Sequence, residues 1–233
     1  MQYFVLFLFF FFLFSFPVHG SSDGNKIPFR YCSNATFSPN STYLSNLKIL
    51  FSALSSNSST KLYHNSSAGR PPNPTAYGDF QCCGDLDVTA CRQCVAAATA
   101  NSSQVFCPLS VEAVIWLDKC VLRYCNRSFF SVMEDSPSVN TCNVFYVGNG
   151  KDVVEAFEKV VITALNATAK KASSMSGALK FATEEVNFKD ATVYMLAECS
   201  GDLSDFNCGK CLRPALQDLQ YYCSGKTGGT IVS

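Results

Sequence analysis

The chain has 233 residues, 18 basic and 18 acidic side chains, no net charge, and 13 cysteines. A neutral chain with no Lys/Arg block argues against a nucleic-acid partner, which needs a surface that neutralises phosphates. An odd number of cysteines leaves at least one thiol outside any set of intrachain pairs.

In chain order, Tyr3 to Phe16 is an almost unbroken apolar run. It is too short for a membrane span of roughly 20 residues. Val18 and Gly20 fit the small-residue rule of a signal-peptide cleavage site, so residues 1–20 are expected to be a signal peptide cut at Gly20–Ser21. No second apolar run follows, so no membrane span is expected in this chain. An oxidising compartment turns many cysteines into a disulfide framework. The same compartment makes the seven Asn-x-Ser/Thr sequons, at Asn34, Asn40, Asn57, Asn65, Asn101, Asn126 and Asn166, candidate glycosylation sites.

The motif Cys-x8-Cys-x2-Cys then occurs twice, as Cys82, Cys91, Cys94 and as Cys199, Cys208, Cys211. The offset is constant, since 199−82, 208−91 and 211−94 all equal 117. Gly84-Asp85-Leu86 and Gly201-Asp202-Leu203 occupy equivalent positions. A repeat of this length indicates two tandem domains, not a solenoid of short units. The expected bounds are 30–132 and 142–233, joined by a polar linker at 133–141. In the first copy a helix is expected over about Pro39–Leu54, with Leu44, Leu47, Phe51 and Leu54 on one face. Strands follow at Lys61–Asn65 and Ala76–Cys82, then a Gly-Asp turn, a helix carrying Cys-x2-Cys, and a hairpin of Ala113–Leu117 with Val121–Tyr124. In the second copy the elements are a helix over Lys151–Ala169, strands at Leu179–Val186 and Thr192–Cys199, and a helix with Leu212, Leu216 and Leu219 at helical spacing. Helices alternating with antiparallel strands give an α+β fold, each domain a sheet with two helices packed on one face.

Cys91-x2-Cys94 and Cys208-x2-Cys211 are too far apart for the halves of a zinc ribbon, and each pair repeats within its own domain. A third cysteine at fixed spacing before each pair also departs from a redox Cys-x2-Cys. Structural disulfides remain the reading that fits, each stabilising a small domain by roughly 2–4 kcal/mol. No enzyme is expected. The mature chain has one histidine, His64, without an acid–base constellation, and the Gly-Asp pairs read as turn residues. Gly225-Lys226-Thr227 lacks the spacing of a phosphate loop, so no cofactor or metal is implied. Trp116 and Tyr221-Tyr222 are expected in the core.

The doubled cysteine motif, the leader and the segments AYGDFQCCGDLDVTACRQCV and IWLDKCVLRYCN resemble the plant cysteine-rich repeat family, whose domains are homologous to the seed antifungal protein ginkbilobin. That family includes secreted two-domain proteins, plasmodesmal proteins and ectodomains of cysteine-rich receptor-like kinases. The resemblance implies about five antiparallel strands, two helices and three disulfides per domain. It pairs Cys82 with Cys91, Cys94 with Cys120, Cys32 with Cys107, Cys199 with Cys208, and Cys142 with Cys223. It implies a secreted, non-enzymatic binding protein of the apoplast, acting in defence or stress response. Its partners would be cell-wall or fungal glycans, or a cell-surface protein; the alternative is a recognition ectodomain cut from a receptor-like kinase or plasmodesmal protein. The family's mannose ligands are an Asn, an Arg and a Glu. At those positions the first domain has Ser33, Val114 and Cys125, so mannose binding is not expected there. The second has Asn143 as its one match, with Thr230 at the Arg position.

Two expectations concern departures from the family pattern. Cys83 and Cys125 are additions to the usual six, and strand parity suggests a disulfide between them on the outer sheet face. Cys211 is expected to be unpaired. Cys107 precedes Cys120 by 13 residues, and 223+13 places the missing partner near position 236. The second domain would then be truncated at its C-terminus and lack its last strand.

Overall fold

The structure is a computed structural model that describes residues 29–177 and 179–233. The expected signal peptide lies outside the described residues.

The first domain runs β1 (Phe29–Cys32), α1 (Thr42–Asn57), β2 (Tyr63–Ala68), β3 (Ala76–Cys82), α2 (Val88–Asn101), a π-helical turn (Ser102–Phe106), β4 (Ala113–Trp116) and β5 (Cys120–Cys125). Helix α1 starts later than its apolar pattern suggests because Ser41 caps it, its hydroxyl accepting from the Leu44 N–H. Asp87 does the same for α2, accepting from the Thr89 and Ala90 N–H groups. The five strands form one antiparallel sheet in the order β1-β4-β5-β3-β2. The central strand is β5. Its inward residues Cys120, Leu122 and Tyr124 and the inward Phe80 and Cys82 of β3 join Leu47, Leu50, Phe51 and Leu54 of α1 and Cys91 and Val95 of α2 in one continuous core. Helix α1 approaches β3 so closely that a Cβ on Gly78 would sit 2.9 Å from Leu50 Cδ2 and 2.8 Å from the Arg123 carbonyl oxygen.

The chain leaving β5 turns back over the outer face of this sheet. The Arg123 guanidinium lies 4.0 Å above the Phe129 ring, Phe130 meets Tyr77 edge-on, and Glu134 pairs with both Arg123 and Arg127. Met133 then packs on the Cys199, Leu203, Cys208 cluster of the second domain. The segment read as a polar linker is therefore anchored at its start, and its end already belongs to a strand.

The second domain comprises β6 (Val139–Cys142), α3 (Lys151–Ser173), β7 (Lys180–Phe188), β8 (Ala191–Cys199), α4 (Asp205–Tyr222) and β9 (Gly229–Val232). Its strands form two separate pairs, β6-β9 and β7-β8. Matched to the first domain, β6 corresponds to β1, β9 to β4, β8 to β3 and β7 to β2. In the first domain β5, the last strand in sequence, is the central one in space, and among the described residues of the second domain no strand stands between β8 and β9. The core splits too, into small clusters around Ala169, Ala172, Ala182 and Ala197, around Ala164, Leu165 and Met195, and around Cys199, Leu203 and Cys208.

Trp116, the only tryptophan, is buried in the first domain and reports on that domain alone. We expect Leu122→Ala, which empties a fully buried site on the central strand, to destabilise the first domain by about 2–5 kcal/mol. Urea unfolding followed by tryptophan fluorescence measures this. A change below about 1 kcal/mol would mean that β5 does not hold this core together.

Candidate functional site

The repeat offset of 117 makes Gln81 and Glu198 equivalent residues, and the fold brings them together. Each is next to last in its strand, on the outer face just before the Gly-Asp turn. The Gln81 side-chain amide donates to Glu198 Oε1 at 2.6 Å. Glu198 Oε2 accepts the Gly84 N–H of the first domain at 3.2 Å, and Gln81 Oε1 accepts the Gly201 N–H of the second at 3.2 Å. Each repeat thus caps the turn of the other, with i touching j and j touching i as at a two-fold interface. Gly84 lies against the Phe181 ring, where a Cβ would sit 2.2 Å from Cδ1. Asp202 accepts from the Ser131 N–H and from Ser200 Oγ. The Gly-Asp turns are docking elements of the domain interface.

Removal from water raises the pKa values of the carboxyls here. Burial pushes the Glu198 carboxyl up to about 7 against the pull of its Gln81 and Gly84 hydrogen bonds. Burial and the nearby Asp202 charge push Asp79 up to about 7 as well, partly offset by Arg123.

The structure contains the disulfides Cys32–Cys107, Cys82–Cys91, Cys94–Cys120, Cys142–Cys223 and Cys199–Cys208, with Cα–Cα separations of 5.3 to 6.0 Å. Cys83, Cys125 and Cys211 are free. The expected Cys83–Cys125 bridge is wrong. Strand parity takes no account of direction: β5 runs antiparallel to β3, with Cys120 opposite Cys82 and Cys125 opposite Tyr77. Each step along β5 carries Cys125 further from Cys83, and five steps of ~3.3 Å put it far out of disulfide reach. Burial raises all three thiols, Cys83 to about 11. None has the lowered pKa of a reactive cysteine.

Of the residues at the mannose-ligand positions, Ser33 bonds Ser110 and the Ala35 carbonyl, and Val114 and Cys125 are buried. Asn143 lies in an exposed loop of the second domain, its side-chain amide donating to Thr227 Oγ1 at 3.1 Å. This loop has the same backbone bonding as its first-domain counterpart. Asn143, Thr227 and Val147 donate to the carbonyls of Gly228, Phe145 and Gly225, as Ser33, Val111 and Phe37 donate to those of Glu112, Ala35 and Leu109. The side chains differ sharply. Asn34-Ala35-Thr36 in the first domain becomes Val144-Phe145-Tyr146, exposed at 77%, 73% and 64%. The Lys226 ammonium lies 3.5 Å from the centre of the Tyr146 ring.

His64 faces Lys61, with Nζ and Nδ1 3.4 Å apart. Trp116 is buried, but Tyr221 and Tyr222 are 80% and 53% exposed; Leu212, Leu216 and Leu219 supply the apolar face of α4 instead. Among the sequons, Asn34, Asn40, Asn126 and Asn166 are exposed, whereas Asn57, Asn65 and Asn101 are half-buried with their amides donating to Ala53, Tyr63 and Ala97. Asn126 also lines a cavity of about 350 Å³ with Phe37, Tyr43 and Asn73. Among the described residues no cluster of three or more His, Cys, Asp or Glu could hold a metal ion, and no helix is long and apolar enough to cross a membrane.

Residues 31–127 and 141–233 match the family described as salt stress response/antifungal. The chain belongs to that family. It is 32% identical to cysteine-rich repeat secretory protein 38 of Arabidopsis thaliana, over 92% of this chain and 84% of that protein. It is 31% identical to an antimicrobial ginkbilobin-2-like protein of Castanea crenata, over 95% and 89%. It also resembles cysteine-rich receptor-like protein kinase 25 of Arabidopsis thaliana at 36% identity, but spans only 30% of that protein's length, and it spans 59% of cysteine-rich repeat secretory protein 1. The tandem DUF26 ectodomain of the Arabidopsis thaliana cysteine-rich receptor-like protein PDLP5 superposes with a TM-score of 0.70 at 32% identity, covering 88% of this chain and 93% of that one. The chain thus has an α+β tandem architecture, and its relatives include secreted cysteine-rich repeat proteins and a receptor-like protein's ectodomain.

Sequence reasoning missed the Gln81–Glu198 clasp, although the offset that aligns the cysteines also aligns these two residues. For the clasp we expect a measurable pH signature. Glu198 binds a proton in the folded state up to about pH 7 but in the unfolded chain only below its ordinary value near 4.5. Stability therefore falls as pH rises from about 4.5 to 7, then levels off. Asp79 acts with the same sign. Glu198→Gln removes one of these contributions, so its melting temperature relative to the parent should rise between pH 5 and pH 8. Calorimetry at both pH values checks this, and a difference independent of pH would contradict it.

Proposed function

We propose that this chain is a secreted, non-enzymatic recognition module of the plant apoplast, and that the Asn143–Tyr146 loop of its second domain is the binding surface, taking a glycan of a cell wall or fungus. The observation that carries this reading is the contrast between equivalent loops. One backbone conformation carries Asn34-Ala35-Thr36 in the first domain, so folding does not require apolar residues there. Three consecutive exposed apolar side chains in a small domain are costly to solubility and are typical of contact surfaces. Aromatic rings beside an amide, a hydroxyl and an ammonium, here Phe145 and Tyr146 with Asn143, Thr227 and Lys226, suit a sugar that offers one apolar face and a rim of hydroxyls.

The first domain lacks this surface. Ser33 uses its hydroxyl internally, so the two repeats would divide the work between scaffold and contact. The resemblance to a receptor ectodomain favours a second reading, in which the same loop meets a cell-surface protein.

A glycan array on the glycosylated protein, with the bound sugars then titrated calorimetrically, separates these readings. We expect Phe145→Ala and Asn143→Ala each to weaken binding about tenfold or more, a loss of ~1.4 kcal/mol, and Ser33→Ala to leave it unchanged. Binding that survives Phe145→Ala and Asn143→Ala but is lost with Ser33→Ala would overturn the assignment. An array without hits, together with capture of a protein ectodomain that Phe145→Ala abolishes, would transfer it to the second reading.

A further inference from the structure

We propose that the sugar attached at Asn126 is a structural part of the first domain: its first residue folds back into the cavity that Asn126 itself lines and stabilises the walls around it. The proposal rests on the secretory reading of the chain, because only a chain in the secretory pathway receives such a sugar. Three observations carry it.

The first is the acceptor. Asn126 heads the sequon Asn126-Arg127-Ser128 directly after β5. It is exposed. Its Oδ1 faces the Cys125 thiol at 3.7 Å, and no hydrogen bond among the described residues engages its Nδ2. Asn65 also lines a cavity, but its Nδ2 donates to the Tyr63 hydroxyl at 3.1 Å. The backbone is fixed on both sides of Asn126. Cys125 pairs with Tyr77 in the sheet, and Arg127 is ion-paired with Glu134 at 2.8 Å and Glu112 at 3.5 Å. The point of attachment therefore has one position relative to the cavity.

The second is the cavity. Its volume is about 350 Å³, near the lower end of the ~300–1,000 Å³ of ligand pockets, which suits one small ring and not an extended chain. Its aromatic walls are held in place. The Phe37 and Tyr43 ring centroids are 5.4 Å apart, the Tyr43 hydroxyl donates to the Val111 carbonyl at 2.7 Å, and Phe130 meets Tyr77 edge-on. The loop that completes the wall is pinned to α1, where Asn46 Nδ2 donates to the Pro74 carbonyl at 2.6 Å. Asn73 is exposed and brings an amide to the same cavity. Rings with one amide among them fit an N-acetylhexosamine, which offers an apolar face, a methyl group and polar substituents.

The third is what separates this cavity from a site for outside sugars. Ser33, Val114 and Cys125, the first-domain residues at the mannose-ligand positions, do not line it. A sugar on Asn126 is tethered at its edge, at an effective concentration in the millimolar range or above, so weak contacts are enough to seat it. An outside sugar would have to displace it. The first domain is thereby closed to such ligands, as its role of scaffold requires.

The attachment balances as a displacement at carbon. Asn126 Nδ2 attacks the anomeric carbon of a lipid diphosphate-linked oligosaccharide. The N–C bond forms, the bond from that carbon to the phosphate oxygen breaks, the lipid diphosphate leaves with the electron pair, and the amide proton passes to a base of the transferring enzyme.

The test uses the full chain secreted from plant cells with glycan processing blocked, so that an endoglycosidase can trim each sugar chain to its first N-acetylglucosamine. Mass spectrometry of glycopeptides reads occupancy, and Trp116 fluorescence follows thermal unfolding. We expect Asn126 to be occupied and the trimmed protein to melt within about 1 °C of the untrimmed one, whereas Ser128→Ala, which erases the sequon and keeps Asn126, should melt lower by about 3 °C or more. Ser128→Thr, which preserves the sequon, should melt with the parent. Nuclear Overhauser contacts should join the N-acetyl methyl group on Asn126 to ring protons of Phe37, Tyr43 or Tyr77. Sugar at Asn34 or Asn40 with Asn126 bare would overturn the seat and leave the secretory reading standing, and sugar at no sequon would overturn both. Ser128→Ala melting with the parent, or a methyl group without ring contacts, would also overturn the proposal. So would a loss shared by Ser128→Ala and Ser128→Thr, which would assign the effect to the Ser128 side chain.

Discussion

A β-sheet is held together by the strand in its middle, and among the described residues that strand is present in the first domain, where β5 joins β3 to β4. In the first domain β5 satisfies the facing backbone edges of β3 and β4 and sends Cys120, Leu122 and Tyr124 into the core. Among the described residues of the second domain the strands form two separate pairs and the core three small clusters. Two-stranded units are marginal on their own in water. The second domain's two pairs are tied to its helices by Cys142–Cys223 and Cys199–Cys208 and are held against the first domain by the interface contacts.

That contact is built from repeat-equivalent parts. Gln81 and Glu198 each cap the other domain's Gly turn, and Met133 extends the contact from the connecting segment. Glu198 accepts from two donors at once, the Gln81 amide on one carboxyl oxygen and the Gly84 N–H on the other. Burial disfavours its charged form and raises its pKa. The interface is thereby tied to pH, more favourable in an acidic medium than in a neutral one.

Much of this was legible in the sequence, because the cysteine spacing repeats and the helix stripes are clear. The α+β tandem fold follows from the order of elements, and Leu47, Phe51 and Leu54 are buried as their spacing implies. What failed did so where direction and neighbours matter. Parity placed Cys83 and Cys125 on a common face but could not say that β5 runs back towards Tyr77. Sequence order made β5 the last strand of the first domain, and only the pairing pattern reveals it as the central one. Tyr221 and Tyr222 are exposed because the leucines of α4 already fill its inner face. The clasp and the aromatic loop leave a signal only when the two repeats are aligned and read for their differences, Gln against Glu at 81 and 198, and Ala-Thr against Phe-Tyr at 35–36 and 145–146.

The central claim is that, among the described residues, β8 and β9 share no ladder, whereas β3 and β4 are joined through β5. Residue-resolved amide hydrogen exchange on the native chain tests it most directly. The account predicts that the edge amides of β8 turned away from β7 exchange at least about a hundredfold faster than their equivalents in β3, a local stability difference of ~2.7 kcal/mol. Equal protection along β3 and β8 would contradict it.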